Sequence, residues 1–171
     1  MNWFKQKKAK YFAYGSNMSA NRIRSRTPSA AVFGVFILQK HQLKFHKIGQ
    51  DGSAKCNALF TGAATDAVEG VVYEISIDEI EKLDRAEGLG NGYEKIWLEV
   101  VNTSGEKVHV FAYIATSINN TLQPFSWYRK HVLEGARCAG LSTEYISAIE
   151  NVRAMSDPDA AREKMELLIY D

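Results

Sequence analysis

The chain has 171 residues, 46% of them hydrophobic and 24% charged, with a net charge of +1 at pH 7. That balance is typical of a globular domain and excludes a disordered or collagen-like chain, and the length suits one domain, residues 1–171, around one core. No run approaches the roughly 18 to 20 apolar residues of a membrane span; the longest, Ala30 to Leu38, is interrupted by Gly34.

Lys5, Lys7, Lys8 and Lys10 precede no apolar stretch with a small-residue cleavage site, so residues 1–9 read as a flexible tail and the protein as cytoplasmic. Tyr11-Phe12-Ala13-Tyr14 reads as a buried strand that turns sharply at Gly15, in a conformation comfortable for glycine. Ser16 or Asn17 then caps a helix over Met18–Arg26, and Pro28 closes it. Ala30 to Phe45 reads as one long strand, apolar on both faces up to Leu38 and alternating beyond. Gly49 to Lys55 reads as a loop, with short strands at Leu59-Phe60 and Val68–Ile75.

A helix starts near Asp78, with Ile80 and Leu83 on one face, and ends at Gly88. Ile96, Leu98 and Val100 alternate with polar or exposed positions, and Gly105 turns the chain into a return strand over Lys107–Ala115. After Pro124 the period becomes helical up to Gly140. A second late helix runs from Ser142 to about Met155. Asp157-Pro158 offers an N-cap and a first-turn proline for a last helix toward Ile169. Strands first and helices late make the fold α+β, with a small closed or strongly curved sheet.

Charge is unevenly spread: residues 1–50 hold ten Lys or Arg and no Asp or Glu, whereas 51–171 hold eleven basic and twenty acidic residues. A basic arm for nucleic acid is one reading. The favoured one is that the halves interleave and neutralise locally, with a mildly positive region where an anionic substrate sits. Cys56 and Cys138 supply neither a disulfide framework nor a metal knuckle, and His41, His46, His109 and His131 show no metal-ligand spacing.

Tyr14-Gly15-Ser16-Asn17 joins a strand end to a helix start, which leaves backbone N–H groups free to face a carboxylate or a polarised carbonyl. Taken alone, those four residues read first as a tight capped turn. No Walker pattern accompanies them, and no GxSxG motif frames Ser16 as a nucleophile. Leu83-Asp84-Arg85-Ala86-Glu87-Gly88 sets Glu87 at a helix C-terminus, where the dipole disfavours an anion. Its plain reading is a solvated helix end; its functional reading is an acid/base, with Asp84 as the other candidate.

In order, Tyr11-Phe12-Ala13-Tyr14-Gly15-Ser16-Asn17, Pro28-Ser29-Ala30-Ala31, Gly70-Val71-Val72-Tyr73, Leu83 through Gly88, and Gly92-Tyr93 resemble the γ-glutamylcyclotransferase family over about residues 10 to 155. Trp127-Tyr128-Arg129-Lys130 resembles the family segment that contributes a substrate-contacting tyrosine. The resemblance implies a small mixed β-barrel with flanking helices and an enzyme with no cofactor or metal that releases 5-oxoproline from γ-glutamyl amino acids. It makes Glu87 the acid/base, has Tyr11, Phe12, Ala13, Tyr14, Gly15, Ser16 and Asn17 bind the glutamyl moiety, and lets Tyr128 close the pocket. The partner implied is a small γ-glutamyl molecule, with no nucleic acid and no membrane; a homodimer is the base-rate expectation. Related members act on γ-glutamylamines, on glutathione or on other γ-glutamylated metabolites, and the fold does not separate them. Arg85-Ala86 and Leu89-Gly90-Asn91 flank the pocket and bear on that choice. The rival of a different class is a non-catalytic member that binds a partner, or nucleic acid through its basic first fifty residues.

The chemistry supports the resemblance independently. A γ-glutamyl amide carries its own nucleophile, the α-amine, placed to close a five-membered ring on the γ-carbonyl. Orientation then supplies effective molarities of about 10⁵ to 10⁸ M, and one carboxylate suffices to move the proton. The loop N–H groups either stabilise the oxyanion or hold the α-carboxylate.

Overall fold

The computed structural model describes residues 7–171. Five strands close a mixed barrel in the order β1 (Lys8–Ala13), β5 (Ala67–Ser76), β2 (Ala31–Gln39), β6 (Tyr93–Val101) and β7 (Lys107–Ala115). Neighbours run antiparallel except at the seam, where β1 meets β7 in parallel at Tyr11 and Phe111. Closure is narrow at two places, since β2 meets β6 at the one pair Ile37 and Val101, as β1 meets β7 at one pair. Phe12, Phe36, Val72, Ile75 and Phe111 are fully buried in its core. The expected α+β barrel is therefore present, and the β6–β7 hairpin turns at Gly105 as its alternation predicts.

Several boundaries differ from the sequence expectation, among them the end of the helix expected to reach Met155, which stops at Glu150. Lys8 and Ala9, expected in the tail, pair with Ser76 and Ile75 as the start of β1, and Lys7 O accepts from Ile77 N–H; residues 1–6 of the expected tail lie outside the described residues. The long strand over Ala30–Phe45 is two, because the chain reverses at Lys40, whose φ of 61° is left-handed. The reversal is held by Lys40 N–H donating to Asp66 O and by Thr61 and Gly62 N–H donating to Lys40 O. With no Gly or Pro at that point, the local sequence carries no break signal.

The second of the two strands, β3 (His41–Ile48), forms a separate hairpin with β4 (Ala54–Phe60), which takes up Ala54 and Lys55 from the expected loop. The expected helix over Met18–Arg26 is a 3-10 turn over Ser16–Met18 followed by α1 (Ala20–Arg26), with Ser19 rather than Ser16 or Asn17 at its start.

The remaining helices are α2 (Ile77–Glu87), α3 (Ser126–Ala139), α4 (Thr143–Glu150) and α5 (Ala160–Leu167). Gly88 and Gly140 terminate α2 and α3 in the left-handed region, as expected. Asp157 does not cap α5; Asp159 does, accepting from Arg162 N–H. The Asp157 carboxylate is committed elsewhere, accepting from both Nε and Nη2 of Arg162 at 2.6 Å and from Trp127 Nε1 at 2.8 Å. Among the described residues no helix is long and apolar enough to cross a membrane.

Part of the basic early segment meets carboxylates from later in the chain: Lys8 and Lys10 face Glu74, Arg22 pairs with Glu166, and Arg26 pairs with Glu87. Glu166 is shared with the buried His131 on α3. Burial alone would raise Glu166, but His131 and Arg22 outweigh it and hold its carboxyl at about 2. Burial pushes His131 below its ordinary 6.5. In both cases the unfolded chain binds protons more readily, so stability falls as pH drops: first below about 6.5, then from the ordinary carboxylate value of 4.5 toward 2. The urea midpoint is expected to be lower at pH 4 than at pH 7.5, and an equal or higher midpoint at pH 4 contradicts this linkage.

Candidate active site

The turn after β1, the end of α2, the β3–β4 hairpin and the start of α3 surround a cavity of about 460 Å³, within the range of about 300 to 1,000 Å³ usual for small-molecule sites. It adjoins a recess of about 20 Å³, lined by Tyr11, Tyr14, Gly15, Ser16, Asn17, Cys56, Glu87, Tyr93, Tyr113 and Tyr128. Ser16, Glu87, Tyr93 and Tyr128 wall both spaces. The candidates converge here, apart from Phe12 and Ala13, whose side chains lie in the barrel core and line neither space.

Glu87 is the last residue of α2. Gly88 N–H donates to Arg85 O and Leu89 N–H to Asp84 O, a Schellman arrangement that satisfies the last carbonyls and stops the helix at this residue. The side chain is 16% exposed. Its Oε1 accepts from Asn17 Nδ2 and from Arg26 Nη1, each at 2.7 Å. Asn17 also donates to Tyr11 Oη at 3.1 Å and accepts from Arg26 at 3.0 Å. One carboxylate oxygen is thereby fixed by two donors, and among the described residues nothing donates to Oε2. Glu87 is therefore not an idle helix end.

Asp84, the alternative acid, is held elsewhere. It accepts from Tyr113 Oη at 2.6 Å and from Lys95 Nζ at 2.8 Å, and lines neither space.

The glycine at the sharp turn serves a tight approach rather than the expected backbone conformation. Its φ of −111° is not left-handed, but an added Cβ would lie 3.1 Å from Cys56 Cβ and 3.3 Å from Tyr128 Oη. Glycine here permits close approach of three elements. The 3-10 turn leaves the N–H groups of Gly15, Ser16 and Asn17 without an acceptor among the described residues. Tyr128 Oη accepts from Cys56 N–H at 3.0 Å and so ties α3 to β4 across the recess. Tyr128→Phe strands that buried amide and is expected to cost about 1 to 3 kcal/mol; a denaturant midpoint equal to that of the wild type would refute the tie.

The recess holds no activated protein nucleophile. Burial pushes the Cys56 thiol up to about 12, so at neutral pH it stays protonated. Ser16 Oγ accepts from Arg22 Nε and has no histidine beside it; His46 is engaged with Asn57 and Asn120, and His131 with Tyr170 and Glu166. Among the described residues no three His, Cys, Asp or Glu side chains converge as a metal site requires.

Sequence reasoning did not find Arg26, Lys47 or Lys55 as wall residues, and it gave Tyr93 a motif but no role. Six cations and three carboxylates line the larger cavity, and Arg85 and Arg162 pair with Glu81 and Asp157 outside that lining.

The profile of the AIG2-like family matches residues 67–149. Gamma-glutamylcyclotransferase from Homo sapiens is 31% identical over 166 residues, 93% of this chain and 86% of that protein. Its counterpart from Bos taurus is 30% identical over the same shares. A solved structure described as gamma-glutamyl cyclotransferase superposes with a TM-score of 0.86 at 28% identity, covering 96% of this chain and 99% of that one. With a relative of that identity matched over most of both chains, the chain belongs to the γ-glutamylcyclotransferase family.

Proposed function

We propose that the protein converts γ-glutamyl amino acids or peptides to 5-oxoproline and the free amino acid or amine, without a cofactor. The observation that carries this reading is the Glu87 carboxylate, held on one oxygen and open on the other, beside a recess with unpaired backbone donors and no activated nucleophile. A substrate that brings its own nucleophile needs nothing more.

The recess has room for about one water-sized group, so it suits the γ-carbonyl oxygen better than a carboxylate. The N–H groups of Gly15, Ser16 and Asn17 then meet the developing oxyanion. The α-amine attacks the γ-carbon; Glu87 Oε2 takes the proton the amine sheds as the new C–N bond forms. The same oxygen returns that proton to the departing nitrogen as the original amide bond breaks. The amine and the departing nitrogen both sit on the γ-carbon in the tetrahedral intermediate, so one carboxylate reaches both. Tyr128 and Tyr93 flank the reacting centre.

The two cysteines, Cys56 buried and Cys138 exposed, are both free thiols, which agrees with a reducing cytoplasmic setting. The direct test is release of 5-oxoproline and alanine from γ-glutamyl-alanine by the purified protein. One-for-one release supports the reading. No turnover of any γ-glutamyl compound, together with salt-sensitive polyanion binding, would instead favour a non-catalytic binding member of the fold.

A further inference from the structure

The cations around the larger cavity are matched to carboxylates, with one exception. Arg22 pairs with Glu166, Arg26 with Glu87, Lys55 with Asp51, Arg162 with Asp157 and Arg85 with Glu81. Lys47 is only 5% exposed and lines the same cavity, yet among the described residues no carboxylate lies within ion-pair distance of its ammonium and no hydrogen-bond acceptor meets it.

The fold holds this side chain in place. The β3–β4 register slips between Phe45 and Lys47, so His46 bulges out, and Lys47 is set opposite Lys55, a device that re-aims side chains next to functional sites. The bulge is pinned: His46 Nδ1 lies 2.8 Å from Asn120 Oδ1 and Nε2 lies 3.0 Å from Asn57 Nδ2. The Lys47 backbone also bridges to Ile118. Its stem runs along Gly92, where an added Cβ would lie 2.8 Å from Lys47 Cε, and its ammonium sits 4.5 Å from the centre of the Tyr93 ring. That ring is itself fixed by the Tyr93 hydroxyl donating to Cys56 O at 2.6 Å. Burial pushes the Lys47 ammonium below its ordinary value, against the opposite pull of Glu87 and Asp51. A mostly buried, immobilised ammonium that meets only the face of the Tyr93 ring, with no carboxylate at ion-pair distance, is free to take an anionic partner from a ligand.

Both ends of a γ-glutamyl amino acid carry an α-carboxylate, and the recess at Gly15 is too small for either. We propose that Lys47 binds an α-carboxylate of the γ-glutamyl substrate and is a specificity-determining residue of this site. The assignment rests on the cyclotransferase reading above and names how the larger cavity selects its substrate.

The test compares wild type and Lys47→Met on γ-glutamyl-alanine, on γ-glutamyl-ethylamine, which lacks the leaving-group carboxylate, and on 4-aminobutanoyl-alanine, which lacks the glutamyl carboxylate. Lys47→Met is expected to raise KM for γ-glutamyl-alanine about 10- to 100-fold with kcat within about threefold, and to leave the urea midpoint equal or higher, since a buried unpaired charge is removed. If Lys47 holds the leaving-group carboxylate, KM for γ-glutamyl-ethylamine is insensitive to the substitution. If it holds the glutamyl carboxylate, 4-aminobutanoyl-alanine is the insensitive one, by KM or, where turnover is too slow, by inhibition constant.

An unchanged KM for γ-glutamyl-alanine overturns the assignment, as does an equal rise for all three compounds or a loss confined to kcat. Lys47→Gln, which keeps a polar end without the charge, is expected to behave as Lys47→Met; full retention of KM by this variant also overturns it. Absence of turnover by the wild type on every compound is a different result, and removes the cyclotransferase reading and this assignment together.

Discussion

Glu87→Gln is expected to lower kcat for 5-oxoproline release from γ-glutamyl-alanine by about 10² to 10⁴, the usual contribution of general acid–base catalysis, while leaving KM within a few-fold. The amide is nearly the same shape, and its oxygen can still accept from Asn17 and Arg26, which are fixed on the turn and on α1. It has no basic atom to take the amine's proton and none to return. The protein is expected to stay folded, because the lost negative charge sits at the C-terminal end of α2, where the dipole disfavours it. The opposing effect is the weakened pairing with Arg26, whose side chain is partly exposed, so the net change in midpoint is small. A rate within a few-fold of wild type would remove Glu87 from the chemistry.

Gly135→Ala is expected to damage both stability and activity, against the local helix preference. In the middle of α3, alanine is favoured over glycine by about 0.8 to 1.0 kcal/mol. Here an added Cβ would lie 2.5 Å from the Met18 carbonyl carbon and 2.6 Å from Ser19 N, both backbone atoms that cannot swing aside. Overpacking of that kind costs about 1 to 3 kcal/mol and occasionally more, so packing outweighs propensity. The shift also has a direction: α3 bears on the segment that carries Ser16 and Asn17, and Tyr73 Oη, donating to Met18 O, resists from the other side. Denaturant unfolding is expected to show a lowered midpoint, and kcat is expected to fall tenfold or more as the turn moves relative to Glu87. A midpoint above that of wild type would mean that the close contact is relieved at no cost.

The parts of the site that were legible in the sequence are those fixed by local chemistry. A strand running into Gly15 and a helix closing on Gly88 are read from turn and cap residues, although the glycine at 15 answers to Cys56 and Tyr128 rather than to its own backbone angle. The barrel followed from β-branched runs and from the alternation around Gly105. What stayed hidden depends on long-range pairing. Arg26 reaches Glu87 across sixty-one positions, and nothing near Arg26 marks it apart from Arg24. Lys47 is aimed by a bulge that only the β3–β4 register reveals. The reversal at Lys40 runs against its residue type, since lysine seldom takes a positive φ. Asp157 has the right neighbour for a cap, but Arg162 and Trp127 take its carboxylate.

The mechanism stands on the substrate supplying its own nucleophile, and blocking the α-amine tests that directly. N-acetyl-γ-glutamyl-alanine, with its binding established by competitive inhibition, is expected to release no alanine under conditions where the free peptide yields alanine and 5-oxoproline one for one. Release of alanine from the blocked peptide at a comparable rate would show that water or a protein side chain makes the attack.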